Sequence, residues 1–376
     1  MTYFVRKLGG LQWPLLILVA VLGLFGIFAI YSATWMRDQN FWSKQLVWLV
    51  LGLVVCLGVS MTDYHWVRRF ALPVYLAGLA GLVAVHLIGK RVYGSGSWLD
   101  FGVMSFQPSQ LAILAGIMLM ALFLSDHEDM PAPLRIALVA AITGVPVVMI
   151  LAEPDLGSSL VWLPVTMAML YAARIPARYL IAMILLAVAI IPLMVNFGLR
   201  PYQRQRILTF LDPEQDPLGA GWTINQSLTA IGSGGWDGKG FKAENTLNEL
   251  GFLPSTIVHN DFIFAVIGEQ HGFIGGALLL LALLGFVGLG LYVSLKAKDD
   301  LGRLLGVGLS TLIFTHIFMN IGMTIGVTPI TGLPLPLVSY GGSFLIAVLF
   351  SVGLLQSIWV HRGNGRGSSS SWRLRS

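Results

Sequence analysis

The chain has 376 residues, of which 56% are hydrophobic and 11% charged, with a formal net charge of +5. Soluble domains carry about 25% charged residues, so this composition excludes an ordinary soluble domain and points to a chain that crosses a membrane repeatedly. The single cysteine, Cys56, excludes an intrachain disulfide and a cysteine-based metal centre.

A helix needs roughly 20 apolar residues to cross the hydrocarbon core. Such runs fall near 12–34, 42–62, 70–89, 107–125, 134–152, 156–173, 178–198, 271–295, 302–327 and 337–360. They are too long and featureless for the alternating strands of a barrel, so each is predicted to be a helix. The expected fold class is an all-α polytopic membrane protein with about ten transmembrane helices. The first run is read as a retained helix, not a cleaved signal peptide.

An even number of spans puts both termini on one face, and Arg and Lys choose that face. Taking it as cytoplasmic puts Arg6, Lys7, Arg68, Arg69, Arg174, Arg178 and the basic C-terminus inside. The short outer loops then hold Arg37, Lys44, Lys90 and Arg91. One transmembrane domain is expected over 1–361, with a large outer loop or lid at 199–260 between spans 7 and 8. A basic, Gly/Ser-rich tail at 362–376 is expected to be disordered. No internal repeat or inverted symmetry is legible.

On this orientation the irregular segments all face outward: "YGSGSWLDFG", "FQPSQL", "AEPDLGSS", the 199–260 segment and "TGLPLPLVSYGGS". The 199–260 segment is too rich in Trp, Leu and Ile for simple disorder, and is expected to form short interfacial helices or a lid. Its "IGSGGWDGKG" is neither a P-loop nor a dinucleotide fingerprint. It reads as a turn-rich loop, or as one whose amides approach an anion. Asp155 heads the sixth span at its positive dipole end, after the break at Pro154. Ser339, Tyr340, Gly341, Gly342 and Ser343 open the last span and suit either capping or a phosphate. His316 and Asn320, four apart, share one face of the ninth helix, where interhelical hydrogen bonding is the simplest reading. No His and carboxylate cluster has tetrahedral zinc spacing.

Asp261 stands in "HNDFIFAVIGE" at the edge of an apolar run, and the residues alone allow it to be a helix N-cap. An enzyme on the outer face has no ATP and needs an activated substrate, such as a lipid-linked sugar pyrophosphate.

"RQRILTFLDPEQDPLGAGW", "QSLTAIGSGGWDGKG", "HNDFIFAVIGE", "NIGM" and "GLPLPLVSYGGS" together resemble the SEDS family (shape, elongation, division and sporulation). "GKG" and "LPLPLVSYGG" are more similar to its elongation branch than to its division branch. The resemblance implies a peptidoglycan glycosyltransferase in the bacterial cytoplasmic (inner) membrane, multi-pass, with an extracytoplasmic active face. It implies polymerisation of lipid II, release of undecaprenyl pyrophosphate, and a role in cell elongation and shape. Implied partners are a class B penicillin-binding protein (a transpeptidase) and other membrane proteins of the elongation complex, with no nucleic acid. On this resemblance Asp261 is the catalytic base. Glu269 and Asp155 support it, and Arg204, Arg206, Lys239 and residues 339–343 are candidates for the pyrophosphate. No cofactor is required by the pattern; a divalent cation (Mg or Mn) is one source of charge stabilisation, with its ligands unknown. Alternative expectations are a non-catalytic scaffold that activates a penicillin-binding protein, and a flippase for lipid-linked precursors. The chain departs from the family pattern at Ser97, Gln110, Ile113, Ser255 and Asn260.

Overall fold

The structure is a computed structural model that describes residues 7, 9–37, 40–88, 90–92, 95–100, 105–153, 155–193, 195, 198, 201–212, 214, 216 and 219–362. The tail expected beyond 362, and Pro154, lie outside the described residues.

Eight described helices are long and apolar enough to cross a membrane. They are α1 (Trp13–Thr34), α2 (Phe41–Met61), α3 (Val67–Ile88), α4 (Pro108–Asp126), α5 (Ala132–Ala152), α10 (Ile263–Leu295), α11 (Asp300–Thr324) and α12 (Gly342–His361). The runs expected as spans six and seven form shorter helices, α6 (Leu156–Ala172) and α7 (Ala177–Leu193), of 17 residues each. The 199–260 segment contributes two more, α8 (Pro201–Leu211) and α9 (Ala220–Ser233), as its apolar content led one to expect. The segment after α3 is not wholly irregular. A small antiparallel sheet, β1 (Lys90–Val92), β2 (Ser95–Asp100) and β3 (Ser105–Phe106), pairs Lys90 with Trp98 and Leu99 with Phe106.

Lipid supplies no hydrophobic force between helices, so close packing must hold them. Small residues provide it. A Cβ at Gly52 of α2 would strike the Leu349 side chain of α12, and one at Gly353 of α12 would strike the backbone of Cys56. Helices α4, α11 and α12 are the most buried of the eight. α11 packs on α4, α6 and α10 at the centre of the bundle.

Two departures from regular helix position the site. The long α10 is two helices: Gly272 has φ 62° and ψ −164°, so the first piece ends at His271. Only glycine takes that φ without steric cost. The 331–341 segment is irregular yet buried, with Leu333, Leu335, Leu337, Val338 and Ser339 all at most 3% exposed. Irregular backbone survives beside lipid only if protein surrounds it and its polar groups are paired. Both conditions hold. Asn320 donates to the Leu333 carbonyl at 2.8 Å, and Gln45 donates to the Ser339 carbonyl at 3.0 Å. The Ser339 hydroxyl accepts from the Leu335 amide and donates to the Asn260 carbonyl. A Cβ at Gly26 of α1 would run into the Leu337 carbonyl oxygen, and one at Gly157 of α6 into that of Thr331.

Candidate active site

Asp261 ends a compact turn, its amide donating to the Ile257 carbonyl at 2.8 Å. The N-cap of α10 is Phe262, with no side-chain capping bond, so Asp261 is not the cap that its position allowed. The Asn320 amide group of α11 donates to the Asp261 carbonyl at 3.1 Å and fixes the turn against the centre of the bundle. The Asp261 carboxylate itself accepts no hydrogen bond among the described residues. It is half-buried beside Gly332, where an added Cβ would lie 3.6 Å from Oδ2. Removal from water pushes its carboxyl up to about 7, against a smaller opposing pull from the Arg206 guanidinium.

Asp155 shows what a structural carboxylate looks like in the same neighbourhood. It is the N-cap of α6: Oδ1 accepts from the Ser158 amide at 2.9 Å, and Oδ2 from the Ser158 hydroxyl at 2.7 Å. Gln107, from "FQPSQL", donates to Oδ2 at 3.0 Å. Burial raises this carboxyl too, while the three hydrogen bonds and Arg206 oppose the rise. Arg206 thus acts on both aspartates, from α8. It also donates to the Ile330 carbonyl at 3.4 Å. Arg204 is exposed on the same helix.

Glu269 and Lys239 form a separate centre. Glu269 is 0% exposed, and Lys239 Nζ lies 2.7 Å from its Oε1. The same oxygen accepts from the Leu247 amide at 2.7 Å. The glycine-rich loop wraps the break in α10. The Lys239 and Gly240 amides donate to the Glu269 and Gln270 carbonyls, and the Phe273 and Ile274 amides donate back to Gly235 and Trp236. Those loop amides are therefore spent on a helix end and do not face an anion. Gly235, Gly238 and Gly240 carry the positive φ values the loop requires.

The 339–341 stretch lies against the turn that precedes Asp261. The Tyr340 amide donates to the His259 carbonyl at 3.0 Å, and the Gly341 amide to Gln45 Oε1 at 3.2 Å. Helix α12, which Gly342 and Ser343 begin, has no side-chain cap. His316 stays one turn away from this work, with Nδ1 on the Leu312 carbonyl and its ring 4.9 Å from Phe344. Sequence reasoning passed over Gln45, Gln107 and His259. The signal for Gln45 was a lone amide in an apolar span. His259 is stacked on Phe41 at 4.1 Å, a contact with no local signature. Among the described residues no group of three His, Cys, Asp or Glu side chains could hold a metal ion. The described donor set does not fit a protein-held metal centre.

The chain matches the family model described as cell cycle protein, FtsW, RodA and SpoVE, over residues 12–364. It is 36% identical over 348 residues to the peptidoglycan glycosyltransferase MrdB of Escherichia coli (strain K12), covering 93% of each chain. It is 31% identical to the peptidoglycan glycosyltransferase RodA of Treponema pallidum (strain Nichols), covering 94% of this chain and 98% of that one. Its fold is similar to that of Thermus thermophilus RodA (TM-score 0.71, 26% identity), covering 94% of this chain and 98% of the other. It is also similar to a chain solved in a study of polymerization and crosslinking by a peptidoglycan synthase complex (TM-score 0.81, 31% identity), covering 94% of this chain and 99% of that one. The protein therefore belongs to the FtsW/RodA/SpoVE family of multi-pass inner-membrane proteins.

Proposed function

We propose that the chain is a peptidoglycan glycosyltransferase that polymerises lipid II in cell elongation, working on the outer face of the membrane with Asp261 as its general base. The observation that carries this reading is a carboxylate that accepts no hydrogen bond among the described residues, set beside Gly332 at a turn held by Asn320, with burial pushing its carboxyl up to about 7. A general base works best when its pKa lies near the operating pH. The relatives named as peptidoglycan glycosyltransferases support the reaction class.

The chemistry is a single displacement. Asp261 takes the proton of the acceptor sugar's 4-hydroxyl as that oxygen attacks the donor's anomeric carbon. The anomeric C–O bond breaks and undecaprenyl pyrophosphate leaves with the electron pair. Attack from the face opposite the leaving group inverts the anomeric centre, as a base on that face requires. The departing pyrophosphate needs positive charge more than a proton. Arg206 supplies a guanidinium that acts on both aspartates. Asp155 holds the α6 end and Gln107 in register. Glu269 and Lys239 fasten the loop over the α10 break.

A class B penicillin-binding protein is the partner this reading expects, and the synthase-complex neighbour supports it. The test is polymerisation of labelled lipid II by the purified chain with that partner, the partner's transpeptidase being blocked. Polymer from wild type and none from folded Asp261→Asn is expected. Undiminished polymer from Asp261→Asn would remove the base. No polymer from wild type would favour a scaffold.

A further inference from the structure

Helices α10 and α12 both start at the Asp261 end of the bundle, and their last turns meet at the opposite end. There the Tyr292 ring of α10 lies 5.6 Å from the Trp359 ring of α12. A cation is set over each ring. The Arg362 guanidinium carbon is 3.3 Å from the centroid of Trp359, and Lys296 Nζ is 5.7 Å from that of Tyr292. We propose that this ring pair and its two cations bind the headgroup of an anionic phospholipid whose acyl chains lie along α10.

The charge of the occupant follows from what the protein does not supply. Among the described residues no carboxylate pairs with Lys296 or Arg362. The acids that follow Lys296 in sequence are committed elsewhere. Asp299 binds Tyr64 and His65 at 2.8 Å each, and Asp300 binds Arg303 at 2.7 Å. Residues 363–376 add Arg366, Arg373 and Arg375 and no acidic side chain. Two like charges on one ring pair repel, and an anion between them turns that repulsion into attraction. Arg362 suits a phosphate in particular. Its Nη1 donates to the Trp359 carbonyl at 2.6 Å, and the rest of the fork makes no hydrogen bond among the described residues. A guanidinium stacked on a ring keeps its donors in its own plane, where phosphate oxygens can accept them.

The surface beside the cations makes the ligand a lipid and not a free phosphate. Leu278, Leu281, Leu284, Leu291 and Leu295 are exposed along one face of α10, and the exposed Tyr292 lies on that same face. The apolar track therefore leads to the ring pair. A free phosphate would meet only the cations, whereas a phospholipid also covers the leucines. Basic clusters at the ends of membrane helices recognise anionic headgroups in this way. Arg178 is the contrast: at the start of α7, at the same end of the bundle, it lies over a single ring, that of Tyr179.

The test is native mass spectrometry of the full chain, titrated with phosphatidylglycerol or with phosphatidylcholine of the same acyl chains. Wild type should bind phosphatidylglycerol at least about tenfold tighter, and millimolar inorganic phosphate should not displace it. Lys296→Gln/Arg362→Gln should weaken phosphatidylglycerol about thirtyfold, since each basic residue at an anionic headgroup is worth about fivefold. Both side chains are exposed, so the double variant should unfold at the wild-type temperature in lipid-free detergent. Lys296→Gln alone should weaken binding about fivefold and decides the matter if the double variant is less stable. Arg178→Gln, with one cation fewer at the same end, should bind as wild type. Equal affinity for the two lipids, displacement by inorganic phosphate, or undiminished binding by the glutamine variants overturns the site. An equal loss in Arg178→Gln would replace it with a diffuse positive surface.

Discussion

Lys239 separates a structural role from a substrate role, and the double variant with Glu269 tells them apart. The carboxylate of Glu269 is fully buried, and Lys239 at 2.7 Å is its cation. Deleting one partner of a buried pair costs about 3–5 kcal/mol, because the other charge is left uncompensated. Lys239 retains 27% exposure, so water enters more easily than at a sealed site and about 3 kcal/mol applies. That is roughly a hundredfold in the constant for local opening. The amides that report it are those of residue 239, Gly240 and Leu247, all bonded to the end of the first α10 segment or to Glu269 itself. Hydrogen exchange at these amides should accelerate about a hundredfold in Lys239→Met and far less in Lys239→Met/Glu269→Gln, which replaces the whole ion pair. Polymerisation should follow the same order. Exchange unchanged in Lys239→Met would refute the pairing argument. Protection restored in the double variant without restored turnover would return Lys239 to the pyrophosphate.

Removing Arg206 takes away the positive charge that holds the Asp261 carboxyl down. Arg206→Gln should therefore move the acid limb of the pH–rate profile to higher pH, besides lowering the rate; a limb moved downward contradicts the assignment. Asp261 is raised in the folded chain, so it destabilises the fold increasingly as pH rises from its unfolded value near 3.8 to about 7. Asp261→Asn should then unfold at a higher temperature than wild type at pH 8, with the gap narrowing towards pH 4. Asn320→Leu should loosen two carbonyls, of Asp261 and Leu333, and lower kcat with little change in KM. Gly26→Ala and Gly157→Ala should each cost about 1–3 kcal/mol by wedging the 331–341 segment away from its helices, read as a lower unfolding temperature.

The helices were legible because lipid imposes a length on apolar runs, and runs such as 12–34 and 107–125 meet it within a few residues. The break at Gly272 was not legible. "GEQHGFIGG" has glycines at several positions, and only the loop amides that seize the Glu269 and Gln270 carbonyls decide which one bends. The sheet at 90–106 was hidden by strands of two to six residues, too short for a period-2 pattern. At the site, the residues alone left Asp261 as either cap or base. The resemblance favoured the base, and the structure gives the capping position to Phe262. Lys239 stood in the sequence thirty residues from Glu269, with nothing local to pair them. Gln107 was overlooked because its partner, Asp155, lies across two helices.

Asp261 is proposed as a base whose carboxyl burial pushes up to about 7. Its most direct test is the pH dependence of a single glycosyl transfer, measured with enzyme in excess over lipid II between pH 5 and 9. A base of this kind gives a rate that rises through an acid limb near pH 7 in wild type, and no such limb in the residual rate of Asp261→Asn. A wild-type rate that is flat over this range, or a limb that persists in Asp261→Asn, would contradict it.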